Sequence, residues 1–324
     1  MQVVVIIPYF QRRSGILRKA IQSVLHQQGA PIIHLLVVDD SSPVTAESET
    51  EGIVPTPGVE LRIILQPNRG PAGARNRGLA EVPPDTDYVA FLDSDDEWSP
   101  THLRNAVSAL EHGFDFYFAN HYQLGQTIGA FQRAGRLPLD RHRLLEPEGR
   151  AYAYQGDMFH QILTGNVIGT STVVMRHAVL GQIRFLEQCV YAGEDYLFWM
   201  ECAGETDRFV FSVDVECTYG AGVNLYAGSG WGTETHLERV VQENRFRHAV
   251  LSQFELTAEQ RQLVDSQLGR LREAFARDIA HRLRLRKSLK PRLVAGQFRR
   301  DPLSAILLLP NILKLLVGGR SRGD

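Results

Sequence analysis

Four short apolar runs constrain the fold of this chain more than any other feature of its sequence. They lie at residues 3–8, 34–38, 61–65 and 88–92. The first two are continuous and rich in branched aliphatic residues, which is typical of strands buried on both faces, as parallel strands usually are. Between them, apolar residues recur at helical spacing over residues 16–25, and Ser14 is placed to cap that helix. The pattern predicts a strand, helix, strand unit and an α/β fold.

Charged loops follow the last three of these runs. Residues 39–42 read Asp-Asp-Ser-Ser, residues 66–79 carry three arginines, and residues 93–96 carry three carboxylates. Ligands of open α/β sheets bind at the carboxyl edge of the strands, where such loops meet. Alternating carboxylates can offer hard oxygens to Mg²⁺ or Mn²⁺, and the cation and the arginines could together hold a nucleotide diphosphate. The alternative is structural, because acids also cap helices and Ser99 followed by Pro100 is typical of a helix start.

Four motifs in this order resemble those of the family 2 glycosyltransferases, which have the GT-A fold. The motifs are Ile7-Pro8-Tyr9 and residues 38–42, 68–78 and 92–96. Each is weak alone, and together they are specific over about the first 110 residues. The resemblance implies an α/β chain with a GT-A type, Rossmann-like nucleotide-binding domain, a mixed central sheet and a C-terminal helical extension.

The resemblance also suggests how the chain is divided. Residues 1–115 are predicted to be the nucleotide-sugar-binding part of the GT-A domain. Residues 116–235 are predicted to be the part of the same domain that binds the acceptor and carries the catalytic base. Residues 236–324 are predicted to be a basic, amphipathic helical extension.

Carried over position by position, the resemblance implies a set of donor contacts and metal ligands. The implied nucleotide-sugar contacts are Pro8, Tyr9, Asp39, Asn68, Arg75, Asp93 and Ser94. The implied ligands of Mn²⁺ or Mg²⁺ are Asp95, Asp93 and His236. Ser41 replaces the glycine of the usual Asp-Asp-Gly loop. A solvated loop histidine is an equally open explanation of His236.

An acidic pair supplies the base that sugar transfer needs. Glu194 and Asp195 precede an apolar, helix-like segment, and the family resemblance implies that Asp195 deprotonates the acceptor hydroxyl while Glu194 contacts the acceptor. Direct displacement of this kind inverts the anomeric centre. Both acids could instead serve only to favour a helix N-terminus. Trp231 could stack on an acceptor sugar or simply pack, and residues 135–149 predict a loop that could cover the acceptor cleft.

Together these features predict an inverting, metal-dependent glycosyltransferase. Its donor would be a nucleotide sugar, with uridine diphosphate expected as the nucleotide, and its acceptor a hydroxyl of a glycan or lipid-linked glycan in cell-surface polysaccharide synthesis. One alternative is a sugar nucleotidyltransferase, although the Gly-rich, Arg-Lys loop of those enzymes does not follow the first strand. The other is a noncatalytic, membrane-associated protein that binds nucleotides or glycans.

Composition agrees with an enzyme and excludes some other classes. A chain of 324 residues that is 44% hydrophobic can bury a substantial core. Its formal net charge of −2 argues against nucleic acid as a partner. Cys189, Cys202 and Cys217 have neither zinc-ligand nor redox-motif spacing. No secretory signal precedes the first strand, so we expect a cytoplasmic location.

The C-terminal region predicts contact with a surface. Residues 257–260 form a capping box that begins a long helix, basic residues crowd positions 270–300, and an apolar stretch covers 303–317. That stretch is shorter than the roughly 20 residues needed to span a bilayer, and Pro310 and Lys314 interrupt it. We expect peripheral binding to an anionic inner-leaflet surface. Packing on the catalytic domain, or on a partner in a homo-oligomer, is the alternative.

Overall fold

The computed structural model describes residues 1–145, 150–187, 193–221 and 230–318, with side chains to residue 314. The strands are β1 Gln2–Tyr9, β2 Ile32–Asp39, β3 Val59–Leu65, β4 Tyr88–Phe91, β5 Glu97–Trp98, β6 Phe116–Tyr122, β7 Arg143–Leu144, β8 Ala151–Ala153, β9 Val174–Arg176 and β10 Phe209–Thr218. The α-helices are α1 Ile16–Leu25, α2 Ala46–Thr50, α3 Gly70–Ala80, α4 His102–Leu110, α5 Ala130–Ala134, α6 Met158–Gly165, α7 His177–Leu180, α8 Glu194–Glu205, α9 His236–Gln253, α10 Ala258–Arg284, α11 Pro291–Arg300, α12 Pro302–Ile306 and α13 Leu308–Gly318. Leu139–Arg141 and Thr170–Thr172 are 3₁₀ turns.

A single mixed sheet organises the first part of the chain. Its strand order is β3-β2-β1-β4-β9-β6-β10-β8-β7, and β5 pairs with β10. The first four strands in this order are parallel, and β9 runs antiparallel to both of its neighbours. The α/β prediction with a mixed central sheet is confirmed, and the four apolar runs form β1 to β4.

Strand register brings the predicted loops to one edge. Tyr9 is the register partner of Asp39, and Asp39 is the partner of Leu65. Because β4 is parallel to β1, its following acidic loop leaves at the same edge. The sheet therefore places the ends of its first four strands where a ligand can contact all of their loops.

Helix α3 packs very closely on β1. A β-carbon at Gly78 would lie 2.5 Å from the Ile6 side chain, so only glycine allows this approach of helix to strand. The predicted helix after β1 is confirmed as α1, but its predicted cap is wrong. Gly15, with φ of 82°, takes the N-cap position instead of Ser14, and its amide donates to both carboxylate oxygens of Glu49 at 2.7 and 2.8 Å. A buried acid from α2 therefore caps α1.

The described residues form two compact units. The first contains residues up to 187 together with 194–221, and the second contains residue 193 and residues 230–318. The second unit is helical, as predicted for the extension, and the capping box predicted at Thr257 and Gln260 is present. Its core lies between α9 and α10, around Phe275 and Ile279. In the described part of the chain, no helix is both long enough and apolar enough to cross a membrane.

Candidate active site

In the acidic loop after β4, two partly exposed carboxylates alternate with buried side chains. Ser94 is buried and accepts a hydrogen bond from the Gln11 amide at 3.2 Å, while Asp96 is 3% exposed. Asp93 and Asp95 remain partly exposed, and the Asp93 side chain keeps 34% of its surface. The alternating pattern predicted from the sequence therefore presents Asp93 and Asp95 to the solvent side of the loop.

Asp96 anchors this loop from beneath. Its carboxylate accepts hydrogen bonds from the Ser171 hydroxyl and from the Gly220 amide, the latter at 2.9 Å. Ser171 Oγ also accepts from the Asp93 amide at 3.0 Å. Burial, followed by the charges of Asp93 and Asp95, raises the pKa of Asp96 well above its usual value. A cation bound by the neighbouring carboxylates would relieve this repulsion.

Arg75 connects the acidic loop to the predicted base. Its guanidinium, on α3, is only 5% exposed and donates to Asp93 Oδ1 at 2.7 Å. It also lies 3.5 Å from Glu194 Oε1 and stacks over the Phe185 ring at 5.3 Å from the centroid. Burial opposes its charge, but Asp93, Glu194 and Asp195 outweigh that effect and raise the pKa of Arg75 above its usual value.

Glu194 and Asp195 begin α8. Asp195 accepts a hydrogen bond from the Thr170 hydroxyl at 3.3 Å and from the Tyr196 amide at 2.9 Å. Burial raises the pKa of Asp195, against the lowering charge of Arg75. Burial, and then the charge of Asp195, raises the pKa of Glu194 to about 7. A carboxylate whose pKa is raised toward neutrality is a stronger base than a solvated one and can accept a proton from a hydroxyl group.

A cavity of about 450 Å³ joins these groups. Asp93 and Asp195 both line it, which brings together the predicted donor-binding and base residues. Other lining residues are Thr170, His121 and Tyr219, and the last two rings stack with centroids 4.3 Å apart. Arg136 and Leu137, from the predicted cover loop 135–149, also line it, whereas residues 146–149 lie outside the described part. The volume is in the range of small-molecule sites.

The acidic loop fits a divalent cation held mainly by its substrate. Asp93 and Asp95 are the partly exposed carboxylates of this loop and could hold Mn²⁺ or Mg²⁺, whereas Asp96 is buried and accepts from two protein donors. The described residues contain no group of three or more histidine, cysteine, aspartate or glutamate side chains that could hold a metal ion. In enzymes that act on nucleotides, Mg²⁺ is usually bound by one or two protein carboxylates, and substrate phosphates and water complete its coordination.

The structure explains His236 without a metal. Its Nδ1 lies 2.6 Å from Asp278 Oδ2, and its ring meets Trp231 edge to face. Its role as a third metal ligand stays a prediction. Trp231 is 52% exposed, and Arg277 lies 5.8 Å from its ring centroid, within the second unit. Its acceptor contact stays a prediction.

Several predicted nucleotide contacts also have structural roles. Pro8 and Tyr9 are buried at the end of β1. The Asp39 carboxylate accepts from the amides of Ser42 and Ala46, each at 2.7 Å. These bonds occupy both oxygens in the described structure, so a base contact would have to share one of them. The contacts of these residues with a nucleobase stay predictions.

Asn68 and its neighbours are organised by Asp40, which the motif comparison assigned no role. The Asn68 amide donates to the Asp40 carbonyl at 3.0 Å. The Asp40 carboxylate accepts from the Arg69 amide at 2.7 Å and the Gly70 amide at 2.8 Å, at the start of α3. Asp40 therefore fixes the loop that leads to Arg75, at a helix N-terminus where an acid is favoured. Its place beside Asp39 in the Asp-Asp motif is the signal that could have revealed it.

Gly220, Ser171 and His121 are the other site residues that motif reading missed. Gly220 and Ser171 hold Asp96, and His121 lines the cavity. They come from the segment just after β10, the 3₁₀ turn before β9, and β6, which are distant from the acidic loop in sequence. The glycine-rich segment around Gly220 was a weak signal, and residues 222–229 lie outside the described part.

Two curated proteins are similar in sequence to more than half of this chain. The chain is 33% identical over 234 residues to the succinoglycan biosynthesis protein ExoW of Rhizobium meliloti strain 1021, covering 69% of this chain and 70% of that protein. It is 29% identical over 186 residues to TuaG of Bacillus subtilis strain 168, which is named a putative teichuronic acid biosynthesis glycosyltransferase. That match covers 56% of this chain and 65% of TuaG.

Solved structures share the fold. S. aureus TarS 1–349 in complex with UDP-GlcNAc gives a TM-score of 0.62 at 18% identity, covering 99% of this chain and 92% of that one. The mannosyltransferase PcManGT of Pyrobaculum calidifontis, in complex with GDP-Man and Mn²⁺, gives a TM-score of 0.58 at 14% identity. The match covers 99% of this chain and 88% of that one. The GT-A architecture predicted from the sequence is confirmed. The model of the family described as Glycosyl transferase family 2 matches residues 4–179, and the chain belongs to that family of transferases.

Proposed function

We propose that this family 2 enzyme transfers a sugar from a nucleotide donor to an acceptor hydroxyl with inversion, and that Asp195 is its base. The observation that carries the proposal is the shared cavity, which brings Asp195 and Asp93 to one space. Arg75 bridges the two halves of the site by pairing with Asp93 and facing Glu194. The acceptor would enter this cavity, and the donor diphosphate would lie at the acidic loop.

Each protein group has one task in this reaction. Asp195 accepts the proton of the acceptor hydroxyl while that oxygen attacks the anomeric carbon and the bond to the diphosphate breaks. Thr170 and the Tyr196 amide orient the Asp195 carboxylate. Asp93 and Asp95 would hold Mn²⁺ or Mg²⁺, which supplies Lewis-acid stabilisation of the leaving diphosphate when bound. Arg75 orients Asp93, and its buried charge limits the repulsion among the carboxylates.

The relatives suggest the biological setting. ExoW is named for succinoglycan biosynthesis and TuaG for teichuronic acid biosynthesis. We extend this to a role in cell-surface polysaccharide synthesis, with a glycan or lipid-linked glycan as acceptor and a cytoplasmic location. TarS was solved with UDP-GlcNAc and PcManGT with GDP-Man, so UDP and GDP are the two nucleotides to compare as donors. The sequence motifs favour the uridine nucleotide.

The decisive test separates donor binding from transfer. Asp195→Asn should keep donor affinity within about twofold and lower kcat by about 10²- to 10⁴-fold, the usual contribution of a general base. Glu205→Gln, at the other and exposed end of α8, is the matched control and should leave both unchanged. Calorimetry with UDP and GDP, with and without Mn²⁺, measures binding. Release of nucleoside diphosphate from the nucleotide sugar measures transfer. An Asp195→Asn protein that retains full transfer would exclude Asp195 as the base.

The same assay discriminates the alternatives. A sugar nucleotidyltransferase would release pyrophosphate from a nucleoside triphosphate and a sugar phosphate. A noncatalytic binding protein would bind nucleotides or glycans without turnover even when unmodified.

The second unit supports peripheral membrane association. The apolar stretch predicted at 303–317 forms α12 and α13, and Leu308 packs on the core between α9 and α10. Other leucine and isoleucine side chains of the same helices remain 46–66% exposed, namely Leu303, Ile306, Leu309 and Leu313. Arg299 and Arg300 are exposed just before them. Apolar side chains beside cations match an anionic lipid surface. Sedimentation with phosphatidylglycerol vesicles should fall when Ile306 and Leu309 become serine, and unchanged sedimentation would exclude this surface.

A further inference from the structure

We propose that the acceptor carries an anionic group beside the reacting sugar, and that Arg133 and Arg136 recognise it. Both side chains line the cavity that Asp195 reaches, but they come from different elements than the donor and base residues. Arg133 lies on α5, and Arg136 follows that helix. This inference rests on the proposed function and adds the chemical class of its acceptor.

No carboxylate in the described part of the chain neutralises the charge of these two arginines. Within the described ranges, neither guanidinium forms an ion pair with a carboxylate, whereas the cavity carboxylate Asp93 is paired with Arg75. The only side-chain hydrogen bond of Arg136 in the described part goes to the Asn166 carbonyl at 3.2 Å. Two cations at the wall of a small-molecule cavity offer forked donors that match phosphate or carboxylate oxygens.

The Arg136 side chain packs closely against the backbone at Gly165. A β-carbon at Gly165 would lie 2.6 Å from Arg136 Cζ, so the guanidinium lies directly on the glycine at the end of α6. The hydrogen bond to the Asn166 carbonyl fixes it along the same segment. The Arg136 side chain is exposed, and these two contacts hold it at the end of α6, where it lines the cavity.

Helix α5 is also anchored from beneath, which positions Arg133. Asn120, fully buried in β6, accepts from the Phe131 amide at 3.0 Å and donates to Gln132 Oε1 at 2.9 Å. The Phe131 ring packs edge to face on Phe118, with centroids 5.9 Å apart. A five-residue helix held at two points can keep Arg133 at the cavity wall.

His121 shows that the Arg133 charge reaches into the cavity. Burial, and then the charge of Arg133, lowers the pKa of His121 to about 4. The imidazole is therefore neutral near pH 7 and adds no positive charge of its own. Among the described residues that line the cavity, Arg133 and Arg136 are the arginines, and Arg75 is not part of the lining.

The probes are three sugars that differ only in the group at C6, which is a phosphate ester, a carboxylate or a neutral hydroxymethyl group. Glucose 6-phosphate, glucuronate and glucose are titrated against the full-length protein by ligand-observed NMR, without nucleotide and with saturating UDP and Mn²⁺. At least one anionic sugar should bind about tenfold or more tightly than glucose, as expected for hydrogen bonds to a charged group. Preference for glucose 6-phosphate identifies phosphate as the recognised group, and preference for glucuronate identifies carboxylate. Equal affinity for all three sugars overturns the proposal.

The variants assign the effect to the arginines. Arg133→Gln and Arg136→Gln should each weaken binding of the preferred anionic sugar about tenfold or more, and leave glucose binding unchanged. Arg133→Lys and Arg136→Lys should recover part of the loss. The matched control is Arg141→Gln, which removes an exposed charge from the next turn of the same segment, outside the cavity lining. Unchanged anionic-sugar binding in both glutamine variants overturns the proposal.

UDP affinity separates this inference from the proposed function. It should stay within about twofold in both glutamine variants, and a loss of UDP binding would assign the arginines to the donor instead. Failure of the unmodified protein to bind any nucleotide would contradict the proposed function, while the sugar titration without nucleotide would still decide the charge preference. If the glutamine variants do not fold, the unmodified protein gives the test. Raising the salt concentration from about 0.05 to about 0.5 M must then weaken binding of the anionic sugar and leave glucose binding unchanged.

Discussion

Gly220 lies so close to Asp95 that a β-carbon on it would stand 1.6 Å from the Asp95 carbonyl oxygen. The Gly220 amide also donates to the Asp96 carboxylate at 2.9 Å. A residue just after β10 therefore sets the position of the acidic loop after β4. No larger residue can occupy this place unless the loop moves.

Replacing Gly220 by alanine should displace the carboxylates that would hold the cation. We expect a loss of transfer of at least about 100-fold, because a shift of about 1 Å in a catalytic site can have that effect. The affinity for Mn²⁺ with UDP should fall in parallel. Calorimetry and the nucleotide-release assay check both values.

Gly204→Ala is the matched control for this substitution. Gly204 lies in α8, and a β-carbon there meets nothing within 4 Å. Alanine in a helix is favoured over glycine by about 0.5–1 kcal/mol, so this variant should keep activity and unfold at a slightly higher temperature. A Gly220→Ala protein as active as Gly204→Ala would show that the loop tolerates the displacement.

Arg75 should matter through its charge as well as its hydrogen bonds. Because it lowers the pKa of Asp195, its removal leaves that pKa higher. In Arg75→Gln the rising limb of the kcat/KM against pH profile should therefore move to higher pH. Arg75→Lys keeps the charge and should keep the limb near its original position, although with lower activity because lysine lacks the planar fork.

Stability gives a second readout for Arg75. Removing one partner of a fully buried ion pair typically costs about 3–5 kcal/mol, because the remaining charge is left uncompensated. Since Asp93 is partly exposed and water can solvate its charge, urea unfolding of the Arg75→Gln protein near pH 7 should show a loss below that range. Equal pH profiles and equal stability in the unmodified and glutamine proteins would contradict the network described for Arg75.

The strand and loop pattern could be predicted from sequence because it is local. Buried parallel strands have continuous apolar runs, and register then brings the loops after Tyr9, Asp39 and Phe91 to one edge. The exposure of Asp93 and Asp95, with Ser94 and Asp96 buried, follows from the same alternation.

The supports of the site could not be predicted because they come from distant parts of the chain. Gly220 is ordinary in sequence, and only its approach to Asp95 makes glycine necessary. Ser14 was the obvious cap for α1, yet the buried carboxylate of Glu49 satisfies the Gly15 amide from another helix. Tertiary contacts of this kind leave no local pattern of residue types.

Glu194 should add a second step to the pH profile, above that of its neighbour. Burial and then the charge of Asp195 raise the pKa of Glu194 to about 7, so Glu194 ionises after Asp195 has lost its proton. In Glu194→Gln this step is absent, and any change of kcat/KM between pH 6 and pH 8 that follows ionisation of Glu194 should disappear, while the limb at lower pH stays in place. Profiles that are the same between pH 6 and pH 8 in both proteins would show that ionisation of Glu194 does not affect the reaction.

The second unit contains a buried carboxylate whose charge should govern its acid stability. Asp301 accepts two hydrogen bonds from the Arg272 guanidinium at 2.8 and 2.9 Å, one from Asn244 at 3.0 Å and one from Ser304 at 2.8 Å. Burial alone would raise its pKa, but these donors lower the pKa of Asp301 to about 2. The stabilisation is therefore complete above the ordinary value of 3.8 and is lost as pH falls through about 2.

Replacing Asp301 by asparagine should remove that stabilisation and its pH dependence together. We expect the free energy of unfolding near pH 7 to fall by about 3 kcal/mol, because Arg272 loses its carboxylate partner in a buried setting. Between pH 5 and pH 2 the variant should lose less further stability than the unmodified protein, since its amide does not titrate. Asp265→Asn, at an exposed position of α10, is the control and should change neither value. Urea unfolding followed by circular dichroism measures both, and parallel acid curves for the Asp301→Asn and unmodified proteins would contradict the role assigned to this carboxylate.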